Sequence, residues 1–210
     1  MGQIEELIGQ YPCLAGCRGA MERALAILVR CYEAGGKVLV CGNGGSCADS
    51  DHIVGELMKG FCKARPLPDG LKERLREAGG KAGEEMASAL QAPLPAISLC
   101  AHSALTTAFG NDADPVYAFA QQVIGYAGKD DALIGISTSG NAKNVVAAGI
   151  AAKALGVPAI GLCGEAPCAM DECFECVIHV PGTETHRVQE LHLPVYHALC
   201  MAVEGHFYTE

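Results

Sequence analysis

Tryptophan is absent from the chain, and aromatic residues make up only 5% of it. Glycine, at 26 residues, and alanine are abundant instead, a composition suited to helices packed closely on a sheet. No apolar run approaches the roughly 20 residues that a helix needs to cross a bilayer, which excludes a transmembrane helix. Positive charge is also in short supply. The formal net charge of −9 argues against a nucleic-acid footprint. It also means that an anionic ligand must be drawn in by local groups, because the field of the whole protein repels it. The opening MGQIEELIGQ is polar and carries no signal-peptide core, and Glu6 breaks the myristoylation pattern. These features predict a cytoplasmic protein with neither membrane nor nucleic acid as partner.

Two further absences concern nucleotides. The glycine turn after the first apolar run, Gly42-Asn43-Gly44-Gly45, is not followed by the Lys-Ser/Thr of a Walker loop. It also lacks the G-x-G-x-x-G spacing of a dinucleotide site. No nucleotide cofactor is expected. Cysteine, by contrast, is plentiful, with 12 residues. They are scattered singly, and Cys41, Cys100, Cys163 and Cys200 fall inside apolar segments. Only Cys173-x-x-Cys176 forms a tight pair, and a lone CxxC is weak evidence for zinc. The expectation is ordinary buried thiols in a reducing compartment.

A length of 210 residues suits one α/β domain over residues 1–210. Leu14, Cys17, Met21, Leu25 and Leu28 recur at helical spacing, so residues 1–34 read as helices, interrupted at Pro12 and ended by Gly35-Gly36. Apolar runs at Lys37–Cys41, Leu94–Cys100, Ala132–Ile136, Val157–Cys163 and Val177–Val180 read as strands. Helical patterns separate them, ending in a long helix from Thr185 to about Phe207. Strands alternating with helices predict a three-layer α-β-α sandwich around a five-stranded parallel sheet of flavodoxin-like kind. Residues 63–92 differ: they are charged, broken by Pro66 and Pro68, and read as an insertion or lid, or simply as a solvated surface helix.

Lys37–Phe61 carries the densest chemistry. Strand, glycine turn and helix together present free backbone N–H groups and a helix dipole to an anion. Ser46 stands where an N-cap is expected. His52 and Glu56, at i and i+4, share one face of the helix that follows. A second turn, Ser137-Thr138-Ser139-Gly140-Asn141, follows the third strand and offers three consecutive hydroxyls. Both turns lie at strand carboxyl ends, where open parallel sheets bind ligands. If their strands are neighbours, the two turns face one phosphorylated ligand.

KVLVCGNGGSCADSDHIVGEL, IGISTSGNAKNVV and HRVQELHLPVYHAL, in that order, resemble the SIS (sugar isomerase) domain, and within it the phosphoheptose isomerases. The resemblance covers nearly the whole chain. It implies an aldose–ketose isomerase that converts sedoheptulose 7-phosphate to a mannoheptose 7-phosphate, working as a homotetramer with active sites at subunit interfaces. It places phosphate contacts on Asn43, Gly44, Gly45, Ser46, Ser137, Thr138 and Ser139, with Gln189 also at the substrate. It makes Glu56 the base and His197 its partner, and it implies a divalent metal, zinc in kind, on His52, Glu56, Gln189 and His197. The chain departs from the family pattern at His102, Ala142 and His186, which bears on the choice of sugar. A non-catalytic SIS protein that binds a partner, or an SIS enzyme for another phosphosugar, are the alternatives. Gln189 and His197 stand eight residues apart, roughly 12 Å along one helix. That separation predicts a metal site completed by a second chain.

Overall fold

The computed structural model describes residues 2–208. Its elements, in order, are α1 (Gly2–Gln10), α2 (Arg18–Glu33), β1 (Val38–Gly42), α3 (Gly45–Met58), α4 (Asp69–Ala89), β2 (Ala96–Ser98), α5 (Ser103–Asp112), α6 (Ala118–Tyr126), β3 (Ala132–Ile136), α7 (Lys143–Ala154), β4 (Ala159–Cys163), β5 (Cys176–His179) and α8 (Thr185–Phe207). Short 3₁₀ turns cover Pro12–Cys17, Pro115–Tyr117 and Ala169–Glu172. Pro12 and Pro115 each open their turn, where a missing N–H costs nothing. β2 is shorter than the apolar run around it, because only Ala96–Ser98 finds a partner strand, on β1.

The five strands form one parallel sheet in the order β2-β1-β3-β4-β5. β1, β3 and β4 are buried along their whole length, as expected of strands covered on both faces. Alternate residues serve opposite layers. Val38 and Val40 join a core with α1, α2, α3 and α8, whereas Leu39 and Cys41 face α6 and α7. The order reverses direction at β1, with β2 to one side and β3 to the other. Gly42 pairs with Ile136, so the turns that follow β1 and β3 emerge side by side at the switch point.

The charged stretch after α3 forms a folded excursion. Gly80, with φ +52°, breaks α4 into two arms. A Cβ on Gly83 would come within 1.8 Å of the Leu75 carbonyl oxygen, and Arg76 pairs with Glu84 eight residues on. Both contacts require the second arm to fold back on the first. The neck of the excursion is closed: Ala92 donates its N–H to the Arg65 carbonyl at 2.8 Å, and Pro66 bridges to Gln91. Arg65 itself is buried, and its Nε donates to Glu204 of α8 at 2.7 Å. Glu204 also accepts from the N–H groups of Phe61, Cys62 and Lys63, at 2.8, 2.7 and 3.1 Å.

Candidate active site

The two turns meet as their strand order requires. Asn43, just past β1, and Asn144, in the first turn of α7, exchange a pair of amide hydrogen bonds. Asn43 donates to Asn144 at 2.9 Å and Asn144 returns one at 2.8 Å. Asn144 reads from sequence as an ordinary helix residue; its part in joining the turns depends on the adjacency of β1 and β3. Replacing Asn144 with Ala is expected to raise KM for a phosphorylated substrate several-fold with kcat nearly unchanged, and to cost about 1 kcal/mol of stability. Steady-state kinetics and a urea titration check both.

The first cradle differs in detail from the expectation. Ser46 is not the N-cap of α3. Gly44 holds that position with φ +57°, a conformation open to glycine, and the helix starts at Gly45. Ser46 lies inside the first turn and is buried, its N–H donated to the Asn43 carbonyl at 3.0 Å. In the second turn Ser137 is buried, Thr138 half-buried and Ser139 exposed. The Ser139 hydroxyl accepts from Asn141 N–H at 3.2 Å. Ala142 occupies the N-cap of α7 with no side-chain cap; Asn144 Oδ1 accepts the Val145 N–H at 3.0 Å, and the N–H groups of Lys143 and Asn144 are left to a ligand. Gln189, from α8, packs on the first turn: its Nε2 lies 2.6 Å from where a Cβ on Gly45 would be.

Two to three helical turns beyond the cradle, along α3, stands the titratable group. The Glu56 side chain is 12% exposed, and both its oxygens are engaged. His52 Nε2 is 3.1 Å from Oε1, and Lys59 Nζ donates to Oε2 at 3.0 Å. On the far side of the imidazole, His52 Nδ1 is 2.9 Å from the Tyr196 hydroxyl, which lies 3.3 Å from Asp49. Burial raises Asp49 above the usual carboxylate range, against the opposing pull of Tyr196 and His52. Burial likewise pushes the Tyr196 phenol up. The ring of His197 stacks edge-on to His52, with centroids 5.0 Å apart, and its Nε2 is buried with no hydrogen-bond partner. Burial, reinforced by the charge of His52, lowers the pKa of His197 against the pull of Glu56, so the imidazole is neutral near pH 7. His192 is also fully buried on α8, and burial drives it down to about 4, which leaves it a neutral member of the core.

On sequence alone, the His52/Glu56 face awaits a terminal helix from another chain. In the structure the chain's own α8 packs against α3 and brings His197 to His52. Gln189, two helical turns away, goes to Gly45. The eight-residue spacing thus spreads α8 over the phosphate turn and the carboxylate together. Among the described residues, one group alone places three His, Cys, Asp or Glu donors within 4.8 Å of one another: Cys163, Cys168 and His179. His52, Glu56 and His197 do not close to that distance. Their chemistry nonetheless suits a divalent cation, with two imidazoles, a carboxylate and an unpartnered buried Nε2. Of the departures, His102 precedes α5 with its Nε2 buried and unpartnered, and His186 is exposed.

A parallel sheet with paired anion-binding turns at its switch point, and a His/Glu/His group beside them, defines a protein built to hold a small phosphorylated molecule. Two family models, both described as SIS domain, match residues 15–77 and 101–202. The phosphoheptose isomerase of Rhodospirillum rubrum is 37% identical over 191 residues, covering 91% of this chain and 88% of that one. That of Akkermansia muciniphila is 32% identical and covers 98% and 95%. Among solved structures, a phosphoheptose isomerase from Francisella tularensis superposes with a TM-score of 0.73 at 29% identity, covering 95% of this chain and 93% of that one. The chain belongs to the phosphoheptose isomerase family of SIS-domain proteins.

Proposed function

We propose that this chain interconverts sedoheptulose 7-phosphate and a mannoheptose 7-phosphate by proton transfer through an enediol. The relatives' names supply the substrate class, a phosphorylated heptose. The observation that carries the reading is that His52, hydrogen-bonded to Glu56 on α3, packs edge-on against His197 of α8, on the helix that the first phosphate turn opens. Asn43, Gly44, Gly45, Ser46, Ser137, Thr138 and Ser139 hold the phosphate, with the two helix N-termini turned toward it. Gln189 reaches the sugar end from its seat on Gly45. Glu56 takes a proton from C1 of the ketose and returns it to C2, while His52 and Lys59 fix the carboxylate by its two oxygens. Neutral His197 moves the hydroxyl proton between O1 and O2, because its unpartnered Nε2 can accept and then donate. The retained pair of Glu56 and His197 favours this reading over a non-catalytic binding protein.

A divalent metal, zinc in kind, would be held by His52, Glu56, Gln189 and His197, and would polarise the substrate carbonyl. The assembly we propose is a homotetramer with active sites at subunit interfaces. The half-open His52 side chain, 41% exposed, and the exposed Ile124 of α6 and Ile150 of α7 support surfaces that a neighbouring copy covers. Residues 63–92 are an insertion on a single domain, and the protein is cytoplasmic. Heptose, hexose and pentose phosphates, each assayed with and without chelator, test the substrate. Turnover confined to the seven-carbon ketose is the expected result, and preference for a hexose phosphate would overturn it.

A further inference from the structure

Outside the proposed active site, the strongest constellation in the molecule lies behind the second phosphate turn. Cys163 ends β4 and His179 ends β5, and the two are register partners on adjacent parallel strands. They therefore point to the same side of the sheet. Cys168 opens the 3₁₀ turn between the strands and completes the group. The Cys163 and Cys168 sulfurs are 3.8 Å apart, and Cys163 Sγ is 3.3 Å from His179 Nδ1. Two thiolates bound to one tetrahedral zinc-sized ion stand about 3.8 Å apart, and a thiolate and an imidazole nitrogen about 3.6 Å. The three donors therefore already hold nearly the spacing that such an ion imposes.

The second observation concerns the imidazole. His179 Nε2 is 2.8 Å from Asp171 Oδ1, so Nε2 carries a proton that it donates to the carboxylate. The other oxygen of Asp171 accepts the Cys168 N–H at 2.8 Å. One carboxylate thus orients the histidine and fixes the cysteine's backbone, as the supporting residue of a metal-bound histidine does. In the neutral ring this leaves the Nδ1 lone pair facing Cys163 and, at 2.9 Å, the carbonyl oxygen of Gly164. The Nδ1 and carbonyl lone pairs oppose each other, a conflict that a bound cation relieves, as a second proton on the ring also would.

We propose that Cys163, Cys168 and His179 form a binding site for a tetrahedral, thiolate-preferring divalent cation of the zinc class, distinct from the His52/Glu56 site. The fourth position falls to water or to the Gly164 carbonyl. Binding forms two metal–sulfur bonds and one metal–nitrogen bond, and releases the two thiol protons to solvent. The site is structural. Cys168 lies against Gly140, where a Cβ would fall 2.2 Å from the sulfur. Ala169 N–H donates to Asn141 Oδ1 at 2.9 Å, and Met170 N–H to the Gly140 carbonyl at 3.2 Å. A cation here ties β4, β5 and the intervening turn to the back of Ser137–Asn141. The Cys173-x-x-Cys176 pair is no rival, since Cys173 turns toward Val146 and Ala169 while Cys176 turns toward Ala20 of α2.

Cobalt titrated into the full-length, reduced and metal-stripped protein decides the matter. The expected result is a thiolate-to-cobalt charge-transfer band in the near ultraviolet that saturates within two equivalents, one for this site and one for the His52/Glu56 site, and is displaced by zinc. The His52/Glu56 site has no sulfur and cannot produce this band. It is expected to vanish in Cys168→Ser and to persist in Cys173→Ser. Asp171→Asn keeps all three donors and is expected to weaken zinc affinity about 10–100-fold. No band in the unsubstituted protein, or a band that survives Cys168→Ser, would overturn the proposal. So would a free-thiol count in unfolded, unreduced protein two short of the twelve cysteines, traced to a Cys163–Cys168 disulfide.

Discussion

Glu56→Gln is expected to cut turnover by about 10²–10⁴-fold while leaving phosphate binding in place, the range over which a positioned general base contributes. The amide keeps the shape of the side chain and can still meet His52, so the local packing of α3 survives. It has no lone pair basic enough to take a proton from carbon. The cradle stands nearly three helical turns away along α3, with its N–H groups on the backbone, and does not depend on the charge at position 56. The measurement is paired: kcat on the heptose phosphate, and inhibition of the unsubstituted enzyme and the variant by inorganic phosphate as a probe of the cradle. Retention of full activity would remove Glu56 from the role of base. Loss of phosphate affinity equal to the loss of turnover would mean that the substitution had damaged the fold.

The second large effect is on stability. Arg65→Met is expected to cost about 3–5 kcal/mol, because it leaves Glu204 as a buried carboxylate without its counter-charge. Burial works to raise the Glu204 pKa, but the N–H groups of Phe61 and Cys62 and the Arg65 guanidinium outweigh it and hold the carboxyl below its usual range. A carboxyl depressed in the folded state contributes stability above its unfolded pKa of about 4.3, and that contribution is lost as pH falls through the folded value. Without Arg65 one source of the depression is gone, so acid unfolding of the variant should begin at a higher pH. Urea midpoints between pH 7 and pH 3 check both statements. A variant as stable as the parent at neutral pH would show that the three backbone N–H groups suffice to hold Glu204.

The same residues show how much could be read in advance. The sheet and the two glycine- and hydroxyl-rich turns were legible because glycine, hydroxyl and apolar runs are local signals. Their placement at strand carboxyl ends followed from the strand–turn–helix pattern, but that they stand side by side came only with the strand order. Arg65 was illegible: it sits in a stretch whose charge and prolines read as solvated surface, and its partner lies 139 residues on. Asn144 was missed because a helix residue signals nothing until β1 and β3 are neighbours. The misplacement of Ser46 was a matter of two residues, since Gly44 at positive φ takes the cap that a serine normally supplies. Cys163 and His179 are 16 residues apart and carry no motif; only the register of β4 on β5 sets them side by side.

The closed neck at Arg65 and Ala92 has a consequence for how the chain tolerates changes in length. A segment that leaves and rejoins the domain through one doorway behaves as a cassette. Its length can change while the strands on either side keep their partners, because the distance its ends must span stays the same.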